Sequence, residues 1–169
     1  MEKFEITEYS DKYAEGAKDL LMALQMHIES LGGLVHKPLF RDEYLPYLLD
    51  KVEKQDGKMF LAVADGQAIG LASCMIYFGE GDDAFMMDPP KSGYISDLVV
   101  AKDMRGQGVG KALIAAAEKY FASKGCDRLE LTVFAPNISA CGFYLAQGFE
   151  ARSHNMARKI ERSRGNTEE

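Results

Sequence analysis

The sequence predicts a single-domain α/β fold, a mixed β-sheet flanked by helices in the order β-α-α-β-β-β-α-β-α-β. Three observations carry this. Segments of alternating polarity and segments of helical periodicity follow one another without a long polar break. Asp65-Gly66 is a hairpin signal between two strand-like runs. A glycine-rich stretch, Arg105-Gly106-Gln107-Gly108-Val109-Gly110, joins an apolar run to a long amphipathic segment. At 169 residues with 47% hydrophobic content, the chain is long enough for one core. One domain is expected over 1–161, followed by a polar tail over 162–169.

Each element has its own justification. Phe4-Glu5-Ile6-Thr7-Glu8-Tyr9 alternates as a short strand. Ser10 reads as an N-cap, and apolar residues then recur at helical spacing from Tyr13 to Leu31, through Ala17, Leu20, Leu21, Leu24 and Ile28. Gly32-Gly33 ends that helix, and a loop with His36, Pro38 and Phe40 follows. A second helix is expected from about Asp42, with Leu45, Leu48, Leu49 and Val52 on its apolar face and Pro46 near its first turn, where proline is tolerated. Strands are expected over 58–64 and 68–78, on either side of Asp65-Gly66.

The acidic stretch from Gly79 to Ser92 is long for a compact domain, which makes it a functional loop or an unstructured one. A strand over 94–100 leads into the glycine turn. The helix beyond it carries Leu113, Ile114, Ala117 and Phe121 and stops at Gly125. A strand is expected over 127–134, a short helix over 138–146 closed by Gly148, and a last strand region over 149–160.

Composition narrows the function. The formal charge of −6 disfavours nucleic acid and favours a cationic partner. No apolar run approaches the roughly 20 residues that a membrane span needs. The charged, strand-like N-terminus is not a secretory signal, so a cytoplasmic location is expected. Cys74, Cys126 and Cys141 are odd in number and without CxxC spacing, and His27, His36 and His154 are scattered. Neither a disulfide framework nor a metal site is expected.

A strand, a glycine turn and a helix start together gather unpaired backbone N–H groups at the positive end of a helix, which is an anion site. Two phosphate-binding templates fail here. A P-loop needs Gly-x4-Gly-Lys-Ser/Thr; Gly110-Lys111 fits its centre, but Arg105 stands at the first glycine position and Ala112 replaces the hydroxyl. A dinucleotide fingerprint needs glycine where Lys111 stands, and it should open an early βαβ unit. A third pattern, Arg-x-x-Gly-x-Gly, is formed by Arg105, Gly108 and Gly110. It comes with Leu98-x-Val100 before it, a seven-residue step from Asn137 to Tyr144, and Phe143-Tyr144-x-x-x-Gly148-Phe149.

This combination resembles the GNAT N-acetyltransferase superfamily, densely from Ile95 to Phe149 and in element order over nearly the whole chain. The resemblance implies acetyl-CoA as co-substrate and no metal. It implies that the amides of Arg105, Gly106, Gln107, Gly108, Val109, Gly110 and Lys111 hold the CoA pyrophosphate, that Leu98, Val99 and Val100 pair with the pantetheine arm, and that Asn137 also contacts the cofactor. Tyr144 stands where the family has the tyrosine that protonates the departing sulfur; its alternative is a core tyrosine between Phe143 and Phe149. An N–H of Val99 or Val100 would serve the oxyanion.

Acetyl transfer needs a neutral amine. A lysine-like amine has a pKa near 10.4, so deprotonation at pH 7 costs about 4.6 kcal/mol. Asp97, beside Leu98, is the candidate for orienting the amine or relaying its proton; the alternative is an aspartate bonded to backbone or to an arginine. The pattern Ile95-x-Asp97-Leu98-x-Val100 looks like the branch acetylating small amines, although Ser96 stands where that branch often has a second acid. Thr132 stands where the protein N-terminal branch commonly has glutamate, with Glu130 on the same strand face.

The acceptor expected is a small cationic amine: a diamine or polyamine, an aminoglycoside, or an amino-acid derivative. Two rival readings are a non-catalytic CoA-binding or sensing domain and a protein N-terminal or lysine acetyltransferase. The loop 79–92 reads as a lid gathering cations or as a solvated loop, and Phe85-Met86-Met87 as a pocket cover or a homodimer contact. Cys141 reads as packing, and His36 as an exposed loop residue near the acceptor side.

Overall fold

The computed structural model describes residues 3–77 and 91–158. In chain order the elements are β1 Glu5–Glu8, α1 Ala14–Ser30, α2 Phe40–Lys54, β2 Lys58–Ala64, β3 Gln67–Tyr77, β4 Ser92–Val100, α3 Val109–Ser123, β5 Arg128–Leu131 and α4 Ile138–Ala146, with short 3-10 turns at Asp11–Tyr13 and Lys102–Met104. The strands form one sheet in the order β1-β2-β3-β4-β5. The first three joints are antiparallel and β4–β5 is parallel, with α3 as the crossover between them.

Period-two alternation sorts the strand side chains onto two faces, and each face meets helices. Ala17, Leu20 and Leu21 of α1 and Leu45, Leu48 and Val52 of α2 pack on Met59, Leu61, Leu71, Met75 and Val99. Val109, Leu113, Ile114, Ala117 and Phe121 of α3 pack on Phe60, Ala62, Ala72, Cys74 and Ile95. The i, i+3, i+4 spacing of these helical positions makes one stripe per helix. Each leucine so buried contributes on the order of 1.5–3 kcal/mol before the entropy of ordering it. Gly93 has a steric reason to be glycine, since a Cβ there would lie 2.2 Å from the Phe121 ring. Among the described residues no helix is long and apolar enough to cross a membrane.

The mixed α/β class and the helix stops agree with the sequence, and several local expectations are corrected. Ser10 is extended but makes no side-chain cap, because a 3-10 turn separates it from α1. The second helix starts two residues before Asp42, at Phe40, so Pro46 lies well inside it rather than in its first turn. There it lacks the N–H that would bond the Asp42 carbonyl, a loss tolerated because Leu45 and Leu48 on either side are fully packed.

β5 is shorter than the expected 127–134, ending at Leu131. No strand forms over 149–158, and the rest of the expected 149–160 strand lies outside the described residues. Arg152, His154, Met156 and Arg158 on one side, and Ala151, Ser153, Asn155 and Ala157 on the other, give this segment no apolar face to bury, and all of these residues are exposed. The loop 79–92, with Phe85-Met86-Met87, lies outside the described residues except for Lys91 and Ser92.

Candidate active site

The glycine turn is an open helix N-terminus. Gly106 and Gly108 have φ of 75° and 86°, a left-handed conformation that side chains rarely adopt, and Gly108 is the N-cap of α3. No side chain caps this helix. Its first backbone hydrogen bond runs from the Ala112 N–H to the Gly108 carbonyl at 3.0 Å. The N–H groups of Gly108, Val109, Gly110 and Lys111 therefore have no helical partner and converge on one end of the dipole. Arg105 fastens the turn to the strand before it, its Nε donating to the Val100 carbonyl at 3.1 Å. Gln107 is tied inward to the Asp103 carbonyl.

Beside this turn the sheet opens. β4 and β5 pair only from Ser92–Arg128 to Ile95–Leu131. Beyond that, Asp97 to Val100 keep β3 on one edge and, among the described residues, have no strand on the other; Leu98 and Val100 turn their backbone groups to that open side, while Val99, in step with Ala101, turns its own to β3. A β-bulge lies at the same place: Cys74 pairs with Ile95 and Ser73 with Asp97, so Ser96 is the extra residue. The bulge changes which side chains share a face. Strict alternation would put Asp97 opposite Tyr94; the inserted residue returns Asp97 to the α1–α2 face, with Tyr94 and Val99, while Ile95 and Leu98 stay on the α3 face.

Asp97 is 9% exposed and held entirely by hydroxyls. The Tyr44 hydroxyl of α2 donates to Oδ1 at 3.0 Å, and the Ser73 and Ser96 hydroxyls lie 2.8 and 2.7 Å from Oδ2. The two serine oxygens are also 2.5 Å apart. Two hydroxyl protons cannot fill three contacts, so one of the three has no proton of its own from the serines. No ion pair reaches Asp97 among the described residues, which corrects the arginine and backbone alternatives: the partners are side-chain hydroxyls. Burial first, then the Asp97 charge and hydrogen bond, push the Tyr44 phenol well above its ordinary pKa, so it stays a donor.

Tyr144 lies on the other face of the gap. It packs with Phe143, Phe149, Leu98 and Val100 against the α3-side core, with ring centroids 5.3 Å from Phe143 and 5.7 Å from Phe149. Its hydroxyl makes no hydrogen bond among the described residues. Burial, and secondarily the Cys141 sulfur, raise its pKa from 10 to about 12. The Phe143 ring sits close to Gly110, where an added Cβ would be 3.1 Å from Cζ. That contact sets α4 against the glycine turn. Asn137 caps α4, its Oδ1 accepting from the Ala140 N–H at 3.2 Å, which leaves its amide nitrogen to donate elsewhere. Cys141 is half-buried, its Sγ 4.0 Å from the Ala135 carbonyl.

The structure sets Leu98, Val99, Val100 and residues 105–111 along one strand and the turn that follows it; α4, which carries Tyr144 after its N-cap Asn137, meets that turn through Phe143 and Gly110, and Asp97 lies on the opposite face of the sheet. Sequence reasoning missed Tyr44, Ser73 and the bulge. It also took His36 for an exposed loop residue. His36 is half-buried: its N–H donates to Glu29 Oε1 at 2.6 Å, and Nδ1 lies 2.5 Å from the same oxygen. The only sequence signal for Tyr44 was its helical spacing from Phe40 and Leu48.

The Acetyltransferase (GNAT) family model matches residues 22–149, more than half of the chain. The chain belongs to the GNAT acetyltransferase family. Among curated relatives of this family, the glucosamine 6-phosphate N-acetyltransferase of Trypanosoma brucei brucei is 33% identical over 138 residues, covering 79% of this chain and 86% of that protein. An aminoglycoside N(6')-acetyltransferase of Stenotrophomonas maltophilia is 28% identical, over 64% of this chain and 70% of that one. Among solved structures, the aminoglycoside N-acetyltransferase AAC(6')-Iy in complex with CoA superposes with a TM-score of 0.73 at 23% identity, covering 97% of each chain, a likeness of fold. As a GNAT protein the chain is an acetyl-CoA-dependent acyltransferase of the N-acetyltransferase kind.

Proposed function

We propose that this GNAT enzyme transfers acetyl directly from acetyl-CoA to the primary amine of a small cationic molecule. The observation that carries the cationic acceptor is Asp97: a buried carboxylate with three hydroxyl partners, no cationic partner among the described residues, and a position beside the open edge of β4. A buried anion is costly unless paired, and an ammonium supplies the missing charge.

The donor side follows from the turn and the edge. The free N–H groups of residues 108–111 suit the CoA pyrophosphate, and the open edge over Leu98–Val100 suits the amides of the pantetheine arm. The thioester then lies in the gap, with Asp97 on one side and Tyr144 on the other. An amine arriving from the α1–α2 face binds as the ammonium at Asp97. It gives up one proton toward the Ser96–Asp97 pair and attacks the carbonyl carbon, while of the two candidate amides the Val100 N–H, which faces the open side, serves the oxyanion. Collapse breaks the C–S bond; the second nitrogen proton ends on the thiol of CoA, and the first passes from the Ser96–Asp97 pair to solvent.

Tyr144 stabilises that leaving sulfur. With a phenol near 12 against a thiol near 8.5, complete proton transfer is uphill by about 3.5 units, so the phenol acts mainly by hydrogen-bonding the thiolate. The test is free-thiol release from acetyl-CoA across amines of different charge. Turnover with mono- and dicationic amines and little with anionic ones is the expected result. Tight CoA binding without turnover on any amine would favour a CoA-sensing domain instead.

A further inference from the structure

Among the described residues, Asp97 receives one hydrogen bond from outside the central strands, and it comes from Tyr44 on α2. We propose that Tyr44 is a positioning residue for amine selection. By holding Oδ1 it aims the carboxylate at an ammonium entering between α2 and the open edge of β4, and it makes that aim depend on how the α1–α2 segment is seated. The inference rests on the reading of Asp97 as the ammonium site.

Two features of the structure make Tyr44 more than one hydroxyl among three. Ser73 and Ser96 belong to the ladder that carries Asp97 and both meet Oδ2, so they leave rotation about the carboxylate's own axis unopposed at Oδ1. Tyr44 supplies that second point of attachment from a different element. Its own ring is fixed from behind. Phe40 stacks on it with centroids 4.5 Å apart and planes 19° from parallel, and the His36 ring edge meets Phe40 at 5.9 Å.

His36 is fastened to α1 through Glu29, and Gln25 Nε2 fastens the same segment by donating to the Leu34 carbonyl at 2.9 Å. The Glu29 carboxyl is held below its ordinary range, first by its hydrogen bond to the His36 ring, which keeps it charged as an anchor. A file of contacts therefore runs from α1 through His36, Phe40 and Tyr44 to the carboxylate at the gap. A rotation of α2, or a release of the loop, moves Tyr44 and with it the orientation of Asp97.

The experiment measures equilibrium binding to the CoA-loaded protein of putrescine, a dication, and of 1,4-butanediol, its uncharged analogue, with acetylation of putrescine followed in parallel. Wild type should prefer the cation by at least tenfold. Tyr44→Phe, which removes only the hydroxyl, should weaken putrescine about tenfold and butanediol and CoA less than twofold. Phe40→Leu, which keeps the hydroxyl but unseats the ring, should weaken putrescine about threefold with the same selectivity. An unchanged cation preference in Tyr44→Phe overturns the proposal, as does equal loss of both probes and CoA, or a wild type that does not distinguish the two probes. Cation preference that responds to Tyr44→Phe without acetylation of any amine would support the positioning role and remove the transfer reading. Robust acetylation that is indifferent to Tyr44→Phe would do the reverse.

Discussion

Ser73 and Asp97 are direct partners across the β3–β4 ladder, and the hydroxyl of the first lies 2.8 Å from the carboxylate of the second. That pairing exists only because Ser96 is bulged out beside it. The register shift that turns Asp97 inward also falls where β5 leaves β4, so one irregularity supplies both the buried charge and the open edge.

Asp97→Asn keeps the shape of the side chain and removes its charge. We expect kcat/KM for cationic amines to fall about a hundredfold, on the order of 2.7 kcal/mol, while CoA affinity changes less than twofold. Steady-state kinetics with a cationic amine beside CoA titration separates these. Equal losses in both would mean that the strand itself had been damaged.

Tyr144→Phe removes a hydroxyl that makes no hydrogen bond within the described residues, and leaves the ring between Phe143 and Phe149. Folding stability should hardly change. We expect kcat to drop between about ten- and a hundredfold, the range for loss of one hydrogen bond to developing charge, with KM for acetyl-CoA nearly constant. An unaltered kcat would assign Tyr144 to packing alone.

The glycine turn and the short helix were legible in the sequence because they are local: Arg105, Gly108 and Gly110 are read as a turn, and Asn137 stands as the N-cap of the helix that carries Tyr144. The surroundings of Asp97 are assembled from distant segments. Tyr44 reaches Asp97 across 53 positions, and nothing in the pattern of α2 marks it apart from other apolar-face aromatics. The bulge was hidden for a different reason: Ile95, Asp97 and Val99 alternate as well as any strand, and only pairing with Ser73 and Cys74 reveals the extra residue. The expected terminal strand failed because apolar spacing after Phe149 is too sparse to bury either face.

Gly108 and Gly110 answer to different constraints, and alanine should separate them. At Gly108 the backbone has φ of 86°, so Gly108→Ala costs about 1–2 kcal/mol and disturbs the unpaired N–H groups at the start of α3, the proposed pyrophosphate site. We expect a Tm lower by roughly 4 °C and CoA affinity down more than tenfold. Gly110 lies inside the helix with an ordinary φ, and its new Cβ would only press the Phe143 ring at 3.1 Å. Gly110→Ala should cost little stability but push α4 outward, which would be read as a kcat loss larger than the loss of CoA affinity.

Two buried phenols give the fold an alkaline limit. Tyr144 is raised to about 12, first by burial, and Tyr44 is raised further, by burial and then by the Asp97 charge. In the unfolded chain both ionise near 10, so above that pH the unfolded state loses protons that the native state keeps. The stability they contribute is fully present below pH 10 and is lost as pH rises through the folded-state values. For Tyr144 the two-unit difference corresponds to at most about 3 kcal/mol. Urea unfolding followed between pH 9 and 12 should show a midpoint that falls with pH above 10. In Tyr144→Phe the fall should be shallower, because one ionising group is gone, and in Tyr44→Phe shallower again by a comparable or larger amount. A slope that neither substitution changes would mean that the alkaline transition belongs to other groups raised by burial: the Cys74 thiol, pushed up to about 12, then the Cys126 thiol and the phenols of Tyr9 and Tyr120.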